Sequence, residues 1–433
     1  MLILCIAILI VAISLSKKRY GTYVNHITVF LGVNIGAIIL MYGCSNIDSN
    51  LSFELCIKII VMFVAFLIGS IIGQARFSVG GRSLLARDQK VSNISRLRNC
   101  IIIYSVIYDI FAIYYLYSLN SYYGLRQMFI NMSGLNVAIQ NGDFQVGISS
   151  WFMPIGFALS LMILFYCRKK KGNLLLYIQY ALCYIQCISP RRDNLFFMIA
   201  MTLMFMLIQS AGTISVSDSL KRRIKRIALA IVIIVAAVWV MSYTQNLMNK
   251  SVSAEFTVFG FRVPDFLKDA FLYVGGNYSY AESLQQSGQL QLVYPLISTL
   301  RLFYRYLGDF IGLHIDTTVP FALSFYNIGS TSASYSFNSA PILYYAIIEM
   351  GNAFFVFFII AGFISRKAFN AVREKNSIGK MMLGLFQFDI LLFSFRSYNL
   401  IYLNYFLALV YIFIVYLYVD VSESTDNKEV GYL

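Results

Sequence analysis

Residues 151–171 read WFMPIGFALSLMILFYCRKKK, an apolar run that is followed at once by the basic cluster Arg168 to Lys171. A helix needs roughly 20 mostly apolar residues to cross the hydrocarbon core of a bilayer. Basic residues directly after such a run are typical of a loop that stays in the cytoplasm. The stretch therefore predicts both a transmembrane helix and its orientation.

The composition of the whole chain agrees with this prediction. Of the 433 residues, 59% are hydrophobic and only 12% are charged, and the mean hydropathy is +0.70. Soluble globular proteins lie far from these values. The formal net charge of +14 does not indicate nucleic acid as a partner, because the basic residues form short blocks between apolar runs rather than one basic surface.

The same pattern recurs along the chain and predicts an all-α polytopic integral membrane protein with about 11 transmembrane helices. The predicted spans lie near residues 2–16, 23–43, 55–74, 100–118, 151–167, 173–188, 195–211, 227–243, 340–364, 381–397 and 400–419. Of the 34 Lys and Arg residues, 24 lie in the loops Lys17–Arg19, 75–99, Arg168–Lys171, Lys221–Arg226 and Arg366–Lys380 and at Lys428. These loops are predicted to be cytoplasmic, so the N-terminus lies outside and the C-terminus inside.

Residues 1–433 form a single polytopic domain in this interpretation, and residues 244–339 form a large extracytoplasmic loop before the ninth span. Long loops of this kind usually carry function. Within the loop, residues 292–313 predict an interfacial helix with an apolar stripe on one face and Arg301, Arg305 and Asp309 on the other. Such a helix either binds a substrate phosphate or simply anchors the loop to anionic lipid, and the sequence leaves both open.

A second arginine cluster lies between the sixth and seventh spans, in the turn Ser189–Pro190–Arg191–Arg192–Asp193–Asn194. The positive-inside rule disfavours arginines on the outer side, so Arg191 and Arg192 indicate a specific interaction at this turn. One candidate is an anionic headgroup or diphosphate, to which a guanidinium binds in a bidentate manner. The other is snorkelling of the side chains with a salt bridge to Asp193.

Three acids lie inside predicted spans, where an ionisable residue is a functional hypothesis by default. They are Asp109 in the fourth span, Glu349 in the ninth and Asp389 in the tenth. Arg396, at the outer end of the tenth span, is a candidate partner for these acids or for a ligand. Each acid is equally compatible with a paired or neutralised structural role.

This layout resembles the O-antigen and capsular polysaccharide polymerases, the Wzy-type oligosaccharide repeat-unit polymerases. Three motifs are similar to those of the family: Arg191–Arg192 in SPRRDNLFFMIAMTLMF, the inner loop Gly80–Gly81–Arg82–Ser83, and Ser339–Ala340 leading to Glu349–Met350–Gly351–Asn352. The many spans, the single large outer loop and the outer arginines are similar as well. The resemblance covers nearly the whole chain by architecture, and its motifs are short.

The resemblance implies a glycosyltransferase in a bacterial cytoplasmic membrane that joins oligosaccharide repeat units carried on undecaprenyl diphosphate. A sugar hydroxyl attacks the anomeric carbon of the growing chain and the lipid diphosphate leaves. Because that leaving group is already activated, no metal or cofactor is expected. The partners implied are the lipid-linked oligosaccharide and membrane lipid, with a chain-length regulator and a flippase as further partners.

We expect Arg192, Arg301, Arg305 and Arg396 to bind the diphosphate, and Arg191, Arg192, His314 and Asp316 to act in catalysis. Asp265, Asp269 and Glu282 are further candidates for the base that assists the hydroxyl. The sugar is expected to contact Tyr273–Tyr280 and the polar run 324–338, unless these segments only pack at the membrane interface. Two other functions stay open: a flippase or transporter of lipid-linked oligosaccharide, and a related O-antigen ligase.

Overall fold

The computed structural model describes most of the chain. The described ranges are residues 1–20, 22–74, 93–124, 147–170, 172–188, 193–211, 256–290, 326–329, 336–374 and 377–421, with the isolated positions 126–127, 235, 238–239, 242–243, 303–304 and 312.

Thirteen α-helices lie in these ranges. They are α1 Leu2–Tyr20, α2 His26–Gly43, α3 Phe53–Ile72, α4 Ile94–Tyr122, α5 Ser149–Phe152, α6 Ile155–Lys169, α7 Leu174–Leu182, α8 Asp193–Ala211, α9 Asp265–Gln286, α10 Ile342–Met350, α11 Phe354–Glu374, α12 Ile378–Leu392 and α13 Leu403–Tyr416. Short 3₁₀ segments follow at Cys183–Cys187, Gly351–Ala353 and Asn399–Ile401, and a π-helical turn spans Leu417–Val421. Two small hairpins pair β1 Thr257–Val258 with β2 Phe261–Arg262, and β3 Tyr326–Asn327 with β4 Ser336–Phe337.

Polar caps mark where several helices begin. The side chains of Asn25, Ser52, Asn93, Asn173 and Ser377 each accept at least one hydrogen bond from a backbone N–H in the first turn of the helix that follows. These N–H groups have no partner within the helix itself. The caps therefore determine the residue at which each of these helices begins.

Six of the described helical segments are long and apolar enough to cross a membrane. They are His26–Gly43, Phe53–Ile72, Ile94–Tyr122, Ser149–Lys169, Ile342–Arg373 and Leu403–Asp420, and shorter apolar helices lie at Leu2–Ser16, Leu174–Cys187 and Asn194–Leu207. The chain is thus an α-helical multi-pass membrane protein, as its composition predicts. The count of 11 spans and their orientation stay predictions, and most of the predicted span 227–243 lies outside the described residues.

The predicted ninth span, 340–364, overlaps the candidate span Ile342–Arg373, which contains an internal break. α10 ends at Met350, a 3₁₀ turn spans Gly351–Ala353, and α11 begins at Phe354. The break lies at Gly351, whose φ is 55°. Glycine adopts this conformation without the steric cost that a side chain imposes, so the Gly351–Asn352 pair ends one helix inside an otherwise continuous apolar run.

Glycines allow a close contact between helices α3 and α11. A Cβ at Gly69 would overlap the backbone of Ile359, and a Cβ at Gly362 would overlap the carbonyl oxygen of Phe66. Because Gly69 lies at Ile359 and Gly73 lies at Phe363, the two helices run in the same direction. Small residues that let backbones approach closely are the usual basis of helix packing in membranes.

α2 packs antiparallel to α3 through stacked rings and a polar pair. The rings of Phe30 and Phe66 stack with centroids 4.0 Å apart, and His26 Nε2 lies 2.5 Å from Ser70 Oγ. At the other side of the bundle, α12 and α13 form a hairpin whose far end is closed by Asp420. Its carboxylate accepts hydrogen bonds from Gly379 N at 2.8 Å and from the Ser377 hydroxyl.

The predicted outer loop 244–339 contains a 22-residue helix, α9. α9 packs along α2, because a Cβ at Gly275 would lie 3.2 Å from Met41 N, and the Tyr278 hydroxyl donates to Asn34 Oδ1 at 2.7 Å. Tyr273–Tyr280 is therefore helical rather than an irregular segment. The predicted interfacial helix 292–313 lies outside the described residues, apart from positions 303–304 and 312.

Candidate functional site

Arg396 lies in the turn Phe393–Arg396 that ends α12, and this turn is set deep in the bundle. The Asn34 amide donates to Ser394 Oγ at 2.7 Å. Since Asn34 lies halfway along the 18-residue helix α2, the turn lies level with the middle of α2 rather than with its end. Arg396 is thus held in a recess, not at the rim of the protein.

Three elements meet at Asn34, which is fully buried. Its Nδ2 group donates to Phe30 O at 2.8 Å and to Ser394 Oγ, and its Oδ1 accepts from the Tyr278 hydroxyl. Ser394 O in turn accepts a hydrogen bond from Ile342 N, the first residue of α10, at 2.8 Å. A buried amide is stable only when its donors and acceptors are satisfied, so this network fixes α2, α9 and the turn against each other.

A cavity of about 200 Å³ opens beside Arg396. The residues that line it come from α9, the segment before α10, α10, the α12–α13 connection and the first turn of α13. They are Tyr273, Asn338, Ser339, Tyr345, Phe393, Arg396, Ser397, Asn399, Tyr402 and Tyr405.

Arg396 is the only charged residue among the described residues that line this cavity. Its guanidinium carbon lies 4.8 Å from the centroid of the Tyr273 ring, a distance at which a cation is attracted to the face of the ring. Ser339 Oγ donates to Arg396 O at 3.0 Å, which ties the turn to the segment before α10. The cavity therefore combines one oriented positive charge with hydroxyl and amide groups.

The aromatic side of the cavity is supported from behind by Phe197 of α8. The Phe197 ring lies 4.4 Å from that of Tyr405 and 5.8 Å from that of Phe393, centroid to centroid. Phe157 of α6 contacts both Phe197 and Tyr405. Phe393 and Tyr405, which line one side of the cavity, are thus packed against the rings behind them.

The three predicted intramembrane acids do not meet in one site. Asp109 accepts a hydrogen bond from Gln179 Nε2 at 2.8 Å. This contact gives Asp109 a structural role in joining α4 to α7. Glu349 is buried near the end of α10. Asp389 is fully buried one turn before Phe393, and neither of its carboxylate oxygens has a hydrogen-bond partner among the described residues.

Of the predicted diphosphate ligands, the structure describes only Arg396. Arg191, Arg192, Arg301, Arg305, His314 and Asp316 all lie outside the described residues. The structure thus leaves their predicted roles as predictions.

The other predicted bases in the large loop have structural contacts. Glu282 Oε2 accepts from Ser52 N at 2.9 Å and from Ser52 Oγ at 3.0 Å, and so ties α9 to the start of α3. Lys268 Nζ lies 2.8 Å from Asp265 Oδ1. The hydrogen bond from Lys268 and its positive charge lower the pKa of the exposed Asp265 carboxyl. Asp269 is buried in α9, and none of the three acids lines the cavity.

Sequence reasoning found Tyr273, Ser339 and Arg396, and it placed Asn338 in the polar run 324–338. It missed Tyr345, Ser397, Asn399, Tyr402 and Tyr405, because tyrosines in an apolar run look like helix core or membrane-interface residues. A signal was present: polar residues recur at Ser394, Arg396, Ser397, Asn399 and Asn404, where the last two predicted spans meet.

Within the described ranges, no group of three or more His, Cys, Asp or Glu side chains is arranged to hold a metal ion. The chemistry that the cavity itself offers is binding of an anion and of polar hydroxyl groups beside aromatic rings. The chain matches no protein-family model, and neither a curated protein nor a solved structure is significantly similar to it.

Proposed function

We propose that this protein is a polymerase of lipid-linked oligosaccharide repeat units, and that the cavity beside Arg396 receives the diphosphate end of the substrate. The observation that carries the proposal is the position of Arg396: one arginine, 4.8 Å from the centroid of the Tyr273 ring, in a cavity whose turn Phe393–Arg396 is hydrogen bonded to Asn34 of a membrane helix. A lipid-linked diphosphate brings its anionic group to a membrane protein from the bilayer side. A recessed arginine suits that approach.

The residues that line the cavity support this substrate class. A guanidinium has a rigid fork of donors that matches two phosphate oxygens at once. The side chains of Asn338, Ser339, Ser397 and Asn399 offer hydrogen-bond partners for sugar hydroxyls, and ligand sites combine a few such polar groups with aromatic walls. The rings of Tyr273, Tyr345 and Tyr402 offer flat apolar surfaces for a sugar ring.

The size of the cavity agrees with a headgroup rather than a whole oligosaccharide. It encloses about 200 Å³, whereas pockets for drug-sized ligands measure roughly 300–1,000 Å³. A diphosphate, alone or with the sugar next to it, occupies such a volume. The rest of the repeat unit then extends out of the recess.

In the proposed reaction, a hydroxyl of the incoming repeat unit attacks the anomeric carbon of the growing chain. The bond between that carbon and the diphosphate oxygen breaks, and the lipid diphosphate leaves. Arg396 stabilises the negative charge that develops on the leaving group. A base accepts the hydroxyl proton, and His314 and Asp316 remain the candidates for this role.

We place the reaction at the outer face of the cytoplasmic membrane of a bacterium. This placement follows from the positive-inside orientation, which puts the large loop and the end of α12 outside. It also agrees with the proposed substrate, whose sugars lie on that side once a flippase has moved the lipid-linked unit across.

The test is the length distribution of surface polysaccharide after deletion of the gene. Cells are complemented with the wild-type chain, with Arg396→Ala, or with Arg126→Ala, which removes an exposed arginine outside the cavity as a matched control. The proposal predicts that deletion leaves single repeat units without a polymer ladder. The wild type and Arg126→Ala restore the ladder, and Arg396→Ala does not.

Other results would point to the competing functions. Loss of all repeat units from the surface indicates a flippase. Polymer that accumulates on the lipid carrier without transfer to its final acceptor indicates a ligase.

A further inference from the structure

The hairpin β1–β2 has an unusual turn. Thr257 and Val258 pair with Arg262 and Phe261, and the two residues between the strands, Phe259 and Gly260, have φ angles of 51° and 79°. Two-residue turns with positive φ at both positions normally carry Asn-Gly or Asp-Gly, and a bulky aromatic residue in this conformation is an outlier. The conformation of the turn therefore does not explain why Phe259 occupies this position.

The hairpin is fixed to the end of α2. Phe259 N donates to Gly43 O at 2.7 Å, and Ser45 N donates to Thr257 O at 3.2 Å. A Cβ at Gly43 would lie 2.5 Å from the ring of Phe259, so the ring covers the last residue of the helix. Because α2 is long and apolar enough to cross a membrane, these contacts hold the hairpin where a membrane helix ends.

The hairpin turns its large apolar side chains outward. Phe261 is 79% exposed and Phe259 is 57% exposed, whereas Val258 next to them in the hairpin is buried. Phe266, the second residue of α9, is 40% exposed. Exposing several large aromatic side chains to water is unfavourable.

The second hairpin, β3–β4, provides an internal comparison. It is bound to the same α2–α3 connection, since Asp48 N donates to Ile328 O at 2.9 Å. Among the described residues of this hairpin, the large apolar side chain Phe337 is 4% exposed and the polar side chain Asn327 is exposed. The described residues of the two hairpins at this end of the bundle thus differ in which side chains they expose.

We propose that the tip of the β1–β2 hairpin inserts into the bilayer interface, with Phe259, Phe261 and Phe266 among the upper acyl chains and Arg262 beside the lipid phosphates. Aromatic side chains accumulate at this depth in membrane proteins, and an arginine next to them is complementary in charge to the phosphate layer. Arg262 is exposed on the same strand as Phe261. Only a few side chains protrude, whereas a stable protein partner needs roughly 800 Å² of surface on each side.

This insertion has a consequence for the cavity. The hairpin continues through Val263 and Pro264 directly into α9, the helix that carries Tyr273 beside Arg396. A lipid-anchored hairpin therefore fixes the start of α9 relative to the membrane. The proposed lipid contact does not depend on which reaction the cavity performs.

The test is fluorescence quenching of a single tryptophan at the tip. The native Trp151 and Trp239 are replaced by Phe, and Phe261→Trp is introduced; the matched control carries Asn327→Trp in the other hairpin. Both proteins are reconstituted as full chains in phosphatidylcholine nanodiscs. Lipids brominated near the glycerol report contact with the bilayer, and iodide in the buffer reports contact with water.

We expect the tryptophan at position 261 to be quenched by the brominated lipid and shielded from iodide, and the tryptophan at position 327 to show the reverse. Equal iodide quenching at both positions, without a lipid effect at 261, would overturn the proposal. It would also fail if neither quencher reached position 261, because the tip would then be covered by protein. Since Phe261 is mostly exposed, the larger indole ring fits without repacking.

Discussion

Among single residues, Arg396 contributes most to the proposed reaction. Its guanidinium carbon lies 4.8 Å from the centroid of the Tyr273 ring, and the residue lines a cavity whose described lining contains no acid. A lysine keeps the charge but loses both the stacking and the bidentate geometry. The identity of the side chain, and not only its charge, is therefore expected to matter.

We expect Arg396→Ala to lower the rate of polymer elongation by about 10²–10³-fold, the usual cost of removing one donor that stabilises a developing negative charge. Arg396→Lys is expected to fall between this variant and the wild type. Elongation of lipid-linked repeat units by membranes with matched protein levels measures both effects. A lysine variant as active as the wild type would contradict a bidentate role.

The Asn34 network makes a second residue-scale prediction, about stability. Asn34→Ala and Tyr278→Phe each remove one side of the hydrogen bond between α2 and α9. Side-chain hydrogen bonds inside membrane proteins contribute about 0.6 kcal/mol on average and up to about 1.7 kcal/mol in double-mutant cycles. We expect a coupling free energy in that range from unfolding of the two single variants and the double variant. Strictly additive losses would show that the two side chains are independent.

The residues of the site were only partly predictable. Arg396 stood out in the sequence because positive charge is rare on the outer side. Asn34 did not, since a single amide in an apolar span has no partner visible in the sequence. Its partners Tyr278 and Ser394 lie 244 and 360 residues away along the chain. Contacts between residues so far apart along the chain depend on how the helices pack, and a single sequence does not reveal that packing.

At the scale of helices and strands, close packing of α3 on α11 is the clearest feature. A side chain at Gly69 or Gly362 would overlap backbone atoms of the partner helix. By contrast, a Cβ added at Gly32 or Gly36 of α2 would meet nothing within 4 Å among the described residues. The chain thus contains two classes of helical glycine with opposite expected responses to alanine.

We expect Gly69→Ala and Gly362→Ala to destabilise the protein by about 1–3 kcal/mol, because the helices have to move apart. Gly32→Ala and Gly36→Ala are expected to be neutral, or stabilising by up to about 1 kcal/mol, since alanine favours the helix. Thermal unfolding in one detergent, followed by size-exclusion chromatography, compares the four variants. Similar losses at all four positions would contradict the packing.

Apolar runs predicted the existence of most helices well, because length and hydropathy alone decide whether a segment can cross. They did not predict the break at Gly351, whose flanking residues are all compatible with one helix. They also did not predict α9. Its sequence mixes charged residues, Tyr, Asn and Ser with the apolar residues, so it contains no long apolar run. α9 is held by contacts with α2 and by the bond from Ser52 to Glu282, both of which join distant parts of the chain.

At the scale of the whole molecule, the direction of α3 and α11 limits the topology. Two helices that run the same way across a membrane are separated by an odd number of crossings. Between them, the described ranges contain four helices that correspond to predicted spans: α4, α6, α7 with its 3₁₀ continuation, and α8. With these four as crossings, the parallel direction of α3 and α11 calls for one more, and the sequence predicts it at residues 227–243.

This topology predicts which positions share a side of the membrane. In a chain without its seven native cysteines, we expect Asn50→Cys and Asn327→Cys to react with a membrane-impermeant maleimide in intact cells. Ser219→Cys, before the predicted eighth span, is expected to react only after permeabilisation. Labelling of Ser219→Cys from outside would refute the predicted orientation of residues 212–226.

The polymerase activity is tested with purified protein in liposomes that contain undecaprenyl-diphosphate-linked repeat units as the only substrate. The measurement is the length of the lipid-linked glycan over time, together with the amount of lipid diphosphate released. We predict a ladder of longer chains and one diphosphate released for each linkage with the wild type, and rates of both about 10²–10³-fold lower with Arg396→Ala. Transfer of intact units across the liposome membrane without any change in glycan length would contradict a polymerase and identify a transporter.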